Sequence, residues 1–158
     1  MNWEEFSAAV PEIASMAEER FARDQLVLLG TIRADGSPRI SPCEVDFADG
    51  RLFLGMMWRS KKALDLLRDP RIVVHSVTRD REGTDGDVKL YGRLVDEPRP
   101  EVREAFCRAI EARIDWRPTE PYHLFSLDVH SAGYAVFGEG SHALAWDPER
   151  GLRRLPLH

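Results

Sequence analysis

The sequence predicts a mainly β protein, a small β-barrel with peripheral helices. Roughly seven to nine short segments are rich in β-favouring residues, and Asp-Gly turns separate several of them. Hairpin-connected strands pair antiparallel, and a sheet of many short strands commonly closes into a barrel or a sandwich. Because the chain has 158 residues and 43% hydrophobic content, it can bury one ordinary core. We therefore expect a single domain over residues 1–158.

The N-terminal segment, residues 1–22, has the pattern of an amphipathic helix. Asn2 and Glu5 have the spacing of a capping box, and apolar residues follow at helical intervals. Pro11 lies within this pattern, where a proline kinks a helix or divides it in two.

Three predicted strands follow this helix, over Gln25–Arg33, Arg39–Phe47 and Arg51–Met57. Turns containing Asp35-Gly36 and Asp49-Gly50 separate them, as in tight hairpins. This spacing predicts an antiparallel three-stranded meander.

The rest of the chain alternates between helical and extended segments. A short helix is predicted from Ser60 to about Arg68, where Asp69-Pro70 disfavours its continuation. Pro100 opens a second inserted helix over 100–113. The remaining predicted strands cover 72–77, 87–95, 122–129, 133–137 and 142–146, and a short last strand follows a turn at 148–151.

Composition excludes several classes of function. The formal net charge of −5 argues against a nucleic-acid partner. Cys43 and Cys107 are far apart and form no CxxC pattern, so neither a disulfide framework nor a zinc site is indicated, and we expect reduced cysteines in a cytoplasmic protein. The chain has no signal-like N-terminus and no apolar run long enough to span a bilayer, so no membrane partner is expected.

Ser60, Lys61 and Lys62 open the short central helix with an unusual distribution of charge. A helix N-terminus carries free N–H donors and the positive end of the macrodipole, where lysines are mildly disfavoured. A serine cap, free amides and two ammonium groups together suit a phosphate. The alternative interpretation is two solvated surface lysines.

The order of these motifs resembles the pyridoxamine 5′-phosphate oxidase-like family of FMN-binding split β-barrels. The resemblance covers about residues 20–95. The motifs that carry it are Gly30-Thr31-Ile32-Arg33, Asp35-Gly36-Ser37-Pro38, Asp49-Gly50-Arg51-Leu52, Ser60-Lys61-Lys62-Ala63, Asp69-Pro70-Arg71 and, more weakly, Lys89-Leu90-Tyr91-Gly92.

The resemblance implies a homodimer that binds FMN, or in some members the deazaflavin F420, in grooves at the dimer interface. It also implies that Ser60, Lys61 and Lys62 hold the cofactor phosphate. In the oxidases an arginine shares this role, but Ser41 stands at that position here. Arg39 lies two residues earlier on the same strand face and could replace that arginine.

The resemblance further suggests which residues meet the cofactor ring. A family glutamine that contacts the flavin aligns with Asp87, and we expect Lys89, on the same face, to make this contact instead, because a carboxylate would face an electron-rich ring. The family's C-terminal substrate motifs have only loose counterparts in His142 and Trp146. We therefore do not expect pyridoxamine phosphate oxidation itself.

Met56, Met57 and Trp58 form an apolar cluster just before Ser60. The cluster could line a planar ring or simply pack in the core or at an interface, and its exposure in a monomer would favour dimerisation. No nucleophile or metal-spaced cluster stands out. His75 is interpreted as a core or interface histidine, and the Cys43 thiol, which has no basic partner in the sequence pattern, as inert. The seven-residue separation of His123 and His130 in a predicted strand argues against a shared metal.

Three functions remain open at this point. The first is an FMN-dependent oxidoreductase acting on an unidentified small organic substrate, in which the flavin ring carries the redox chemistry. The second is an F420-dependent reductase of the same fold. The third is a flavin- or haem-binding protein without turnover.

Overall fold

The structure is a computed structural model and describes residues 1–157. The helices are α1 (Trp3–Ala9), α2 (Pro11–Asp24), α3 (Lys61–Arg68) and α4 (Pro100–Ile114). The strands are β1 (Leu26–Ile32), β2 (Pro38–Glu44), β3 (Asp46–Ala48), β4 (Arg51–Met57), β5 (Arg71–Ser76), β6 (Asp87–Asp96), β7 (Tyr122–Val136), β8 (His142–Asp147) and β9 (Gly151–Leu155).

The N-terminal helical segment divides at the predicted position. Asn2 caps α1, and both bonds of the capping box form: Glu5 N–H donates to Asn2 Oδ1 over 2.8 Å, and Asn2 N–H donates to Glu5 Oε2 over 2.9 Å. Pro11 begins α2, where the missing proline N–H costs no helical hydrogen bond. None of the helices in the described part of the chain is long and apolar enough to cross a membrane.

The strands form one antiparallel sheet that closes on itself. Its order is β2-β1-β5-β6-β7-β4-β3, and β8 pairs with β7 while β9 pairs with β8. The two ends of this order, β2 and β3, are separated along the chain only by Val45. The predicted β-barrel with peripheral helices is therefore confirmed.

The predicted meander is wrong in detail. The segment predicted as one strand, Arg39–Phe47, is two strands, because β2 pairs with β1 whereas β3 pairs with β4. The buried Val45 separates the two strands, so this one segment supplies both the first and the last strand of the sheet order. A local pattern of β-favouring residues does not reveal this exchange of partners.

The two strands predicted at 122–129 and 133–137 are one long strand, β7. It pairs with β6 along ten residues, and a β-bulge between Tyr91 and Gly92 absorbs the register shift at residues 129–131 of β7. In the sequence, the polar residues His130 and Ser131 look like the end of one strand, but in the structure they continue β7.

Apolar side chains form two clusters among the described residues. The larger cluster fills the barrel, where α1, α2 and α3 supply residues such as Phe6, Ile13 and Leu66. The smaller one joins α4 to the outer side of β4 and β7 through Phe53, Phe106 and Leu124. Met56 of the larger cluster and Phe106 of the smaller one both line a cavity at the C-terminal end of β4.

Gly92 sits where β6 approaches the backbone of β7, and a Cβ atom there would lie 2.0 Å from the carbonyl oxygen of Asp128. Because a backbone atom cannot move aside cheaply, we expect Gly92→Ala to lower the free energy of unfolding by about 1–3 kcal/mol. Gly133→Ala is the matched control, since its Cβ would meet nothing closer than 3.7 Å. Urea denaturation checks this prediction, and equal midpoints for the two variants would contradict it.

Candidate cofactor site

A cavity of about 740 Å³ opens between the ends of β2 and β4, helix α4 and the segment that leads into β7. Cys43 and Met56 line its barrel side, Lys62 lies at one edge, and Phe106, Trp116 and Tyr122 line the opposite side. Most of its walls are aromatic or aliphatic, and its charged lining residues are Lys62 and the carboxylates Glu44, Asp46 and Glu120. Arg113 pairs with both Glu44 and Asp46. Such a cavity suits a planar organic molecule, and among the described residues Lys62 is the one cation that lines it for an anionic end.

Ser60 occupies the N-cap position of α3 but does not cap it with its side chain. Its Oγ atom is buried and has no hydrogen-bond partner among the described residues. The expected capping bond is thus missing, and the hydroxyl is left unpaired. A buried, unpaired hydroxyl at a helix N-terminus fits a phosphate oxygen as its partner.

The two lysines of this helix start differ in their surroundings. Lys61 is exposed, whereas Lys62 is half-buried and its Nζ donates to the carbonyl oxygen of Pro42 over 2.5 Å. An ammonium group has three donors, so this bond leaves two for a ligand. The first turn of α3 contains no acidic residue that would neutralise the pair.

Arg39 is bonded to the middle of α3, at Asp65. Its Nε donates to Asp65 Oδ2 over 2.6 Å, and Thr31 Oγ1 donates to the same oxygen over 3.1 Å. Asp65 is a buried residue of α3, so these bonds fasten the helix to β1 and β2. Ser41 is half-buried on the same face of β2, and neither Arg39 nor Ser41 lines the cavity.

Asp65 gives this fastening a pH dependence. Burial favours a higher pKa for the Asp65 carboxyl, but the bonds from Arg39 and Thr31 outweigh it and hold the pKa below the ordinary 3.8. The stabilisation is therefore complete above pH 3.8 and is lost as the pH falls through the lower folded-state pKa. We expect the stability difference between the wild type and Asp65→Asn to shrink on acidification below about pH 4. A pH-independent difference in denaturation experiments would contradict this.

Lys89 lies in a second cavity of about 340 Å³ on the outer face of the sheet. It is ion-paired with Asp87, whose Oδ1 also lies 3.7 Å from His75 Nε2. Trp146 is buried and lines this second cavity, whereas His142 does not line it and lies against Tyr134, with ring centroids 5.7 Å apart. Lys89 and Lys62 therefore line different cavities, and neither Ser60 nor Lys61 lines either of the two.

The three residues of the apolar cluster differ in exposure. Met56 and Met57 point to opposite faces of β4, and Trp58 lies in the turn after that strand. Met56 is buried, whereas Met57 and Trp58 are 81% and 57% exposed. All three line the first cavity, so the cluster reaches both the core and solvent. Beside them, burial raises the pKa of the Cys43 thiol to about 11, which keeps it protonated at neutral pH.

Sequence reasoning missed the wall of the cavity that faces the barrel. Phe106, Trp116 and Tyr122 come from α4 and the predicted irregular segment, and no local motif links them to Lys62. The only signal is a concentration of aromatic residues and prolines after 100–113. Arg59 is a further exposed cation that was not singled out. No three His, Cys, Asp or Glu side chains within residues 1–157 are grouped to hold a metal ion.

Solved structures share this fold. A heme binding protein from Mycobacterium smegmatis is 21% identical, with a TM-score of 0.68, and the match covers 88% of this chain and 59% of that one. A NimC/NimA family protein from Clostridium acetobutylicum is 15% identical, with a TM-score of 0.68 and coverage of 89% and 97%. PhzG from Burkholderia lata 383, in complex with tetrahydrophenazine-1-carboxylic acid, is 11% identical, with a TM-score of 0.63 and coverage of 99% and 93%.

Curated protein sequences gave no match. The family model described as pyridoxamine 5′-phosphate oxidase matches residues 14–134 of the 158. This range includes the helix start at Ser60, the barrel strands β1 to β6 and most of β7. The chain therefore belongs to the pyridoxamine 5′-phosphate oxidase family.

Proposed function

We propose that this protein is a flavin-dependent oxidoreductase that binds FMN in the first cavity and acts on a small organic substrate. The observation that carries the proposal is the unpaired, buried hydroxyl of Ser60 at the head of α3, beside Lys61 and Lys62. Of these three residues, Lys62 lines the first cavity, so the phosphate would lie at the edge of that cavity. A phosphate there would gain a hydroxyl, free amides and two ammonium groups as partners.

The remainder of the cavity suits the flavin ring. Met56, Trp58 and Trp116 offer flat or flexible apolar surface, and the volume of about 740 Å³ is within the usual range for sites of this kind. When bound, the flavin itself supplies the redox chemistry. The role of this chain is then to hold the phosphate end, orient the ring against β2 and β4, and limit the access of water.

Two other ligands have specific support. Arg59 adds a third cation to the helix start, which would suit the longer anionic tail of F420. A protein of the same fold from Mycobacterium smegmatis is described as heme binding.

The free thiols of Cys43 and Cys107 are compatible with a reducing compartment, and we propose a cytoplasmic location.

Titration of the purified protein with FMN, F420 and haem in turn discriminates among these functions. The proposal expects FMN fluorescence to be quenched with saturation at one molecule per chain, and the bound flavin to be bleached by a reduced nicotinamide cofactor. Binding of F420 without binding of FMN would overturn the FMN proposal in favour of an F420-dependent reductase. A Soret band with haem and no flavin binding would overturn it in favour of a haem protein.

We also propose a homodimer formed through the outer face of the sheet. What supports it is a row of neighbouring residues across β2, β1, β5 and β6, namely Ile40, Gly30, Val73 and Tyr91. Ile40 and Tyr91 are 76% and 44% exposed. An apolar row of this kind is unusual on a surface that faces water.

Light scattering tests the dimer. We expect a dimer for the wild type and a monomer for Ile40→Glu combined with Tyr91→Glu, because paired carboxylates would face each other across the two-fold axis. Ile114→Glu is the control, since Ile114 is 45% exposed on α4, away from the row. A monomeric wild type would sink the proposal.

A further inference from the structure

We propose that His123 is a positioning residue for the cation-bearing turn at the head of α3, which it holds through its Nε2 atom without touching the cofactor. The inference rests on the proposed function only in naming FMN as the ligand that senses the turn. It concerns the hydrogen bond that connects β7 to the turn before Ser60.

The chain between β4 and α3 is a tight turn. Ser60 N–H donates to the carbonyl oxygen of Met57 over 3.1 Å, which leaves Trp58 and Arg59 as the central residues. Arg59 has a φ of 55°, a left-handed conformation that L residues with side chains adopt at a cost. Because Ser60 follows directly, the conformation of Arg59 determines where Ser60 and the two lysines lie.

His123 supplies the bond that holds this conformation. The backbone N–H of Arg59 donates to His123 Nε2 over 3.1 Å. An imidazole nitrogen accepts only when it carries no proton, so this bond requires an unprotonated Nε2. The bond ties the turn to β7, a strand 64 residues further along the chain.

The imidazole ring is itself fixed in place. It stacks on Trp58 with centroids 4.4 Å apart and an interplanar angle of 12°, and Phe125 lies 6.2 Å away at 18°. His123 is only 8% exposed. A ring with so little freedom can impose its own position on the Arg59 amide.

His123 does not line the first cavity. Ser60 does not line it either, but the Ser60 hydroxyl is unpaired, whereas the Nε2 lone pair of His123 is used by Arg59. That nitrogen is therefore not free to bind a ligand or to take a proton from a substrate. What remains is the indirect role, in which His123 fixes the backbone that presents Ser60, Lys61 and Lys62.

Three variants separate the hydrogen bond from the stack. His123→Phe keeps a flat ring but has no acceptor. His123→Gln places a side-chain oxygen near the position of Nε2 but has no ring. His123→Asn is too short to reach the Arg59 amide and serves in place of the phenylalanine variant if that variant does not fold.

The probes are FMN and riboflavin, which share a ring but differ in the phosphate. We expect His123→Phe to bind FMN about five- to tenfold more weakly, the range of one lost hydrogen bond, while its affinity for riboflavin stays unchanged. His123→Gln should restore FMN binding to within about threefold of the wild type. An equal loss for both ligands would indicate a purely structural role, and unchanged FMN binding in His123→Phe would overturn the inference.

Hydrogen exchange of the Arg59 amide, followed by NMR without any cofactor, tests the same bond directly. The amide should be protected in the wild type and in His123→Gln, and should exchange at least tenfold faster in His123→Phe. Equal exchange in the wild type and His123→Phe would overturn the inference. If the wild type binds FMN no better than riboflavin, the proposed phosphate site fails, whereas the exchange result still decides whether His123 holds the turn.

Discussion

Replacing Lys61 and Lys62 together by alanine is expected to weaken FMN binding by about 2–4 kcal/mol, because each charge-assisted hydrogen bond contributes about 1.5–3 kcal/mol and both side chains remain partly solvated. Lys62 should account for most of the loss, since it is half-buried and its Nζ is already oriented by the carbonyl oxygen of Pro42. Quenching of FMN fluorescence during titration measures the affinity directly.

The matched control removes two positive charges elsewhere. Arg81 and Arg108 have side chains that are 92% and 69% exposed, and neither lines the first cavity. Arg81→Ala with Arg108→Ala changes the net charge by the same amount, so it should leave FMN affinity nearly unchanged at physiological salt. Equal affinities for the lysine double variant and the wild type would mean that the phosphate does not bind at the head of α3.

Replacing Asp65 by alanine is expected to lower the free energy of unfolding by about 2–4 kcal/mol, because a buried ion pair loses one partner while Arg39 keeps some access to water. Asp65 receives bonds from Thr31 and Arg39 over 3.1 and 2.6 Å, so its loss also loosens α3 from β1 and β2. Denaturation monitored by circular dichroism measures the change.

Glu104→Ala is the control for this prediction. Glu104 also holds an arginine, with 2.6 Å between its Oε2 and Arg117 Nη2, but its side chain is 47% exposed on α4. Exposed ion pairs contribute little to stability, so this variant should unfold at the wild-type midpoint. A comparable loss in both variants would show that burial does not distinguish the two pairs.

Local signals predicted the elements that local chemistry determines. The capping box of Asn2 and Glu5 and the break at Pro11 involve neighbours in sequence, and both occur as expected. The division of the second strand at Val45 depends on which strand each half meets after the barrel closes. The continuity of β7 likewise depends on its partner β6, whose bulge absorbs the register shift.

The same distinction applies to the candidate site. The charge pattern of Ser60, Lys61 and Lys62 is readable because the three residues are consecutive at a helix start. The period of two put Arg39 and Ser41 on one face of β2, but it could not reveal that Asp65 of α3 binds Arg39. His123 meets Arg59 across 64 residues, a contact that only the tertiary structure brings about.

The central claim is that this chain binds a flavin phosphate with the head of α3. The most direct test is to purify the protein from its native host, and to record the visible spectrum and the mass of whatever co-purifies with it. The account predicts a two-banded yellow flavin spectrum and the mass of FMN, both lost in the variant without Lys61 and Lys62. A lone Soret band, or a co-purified molecule without an anionic group, would contradict it.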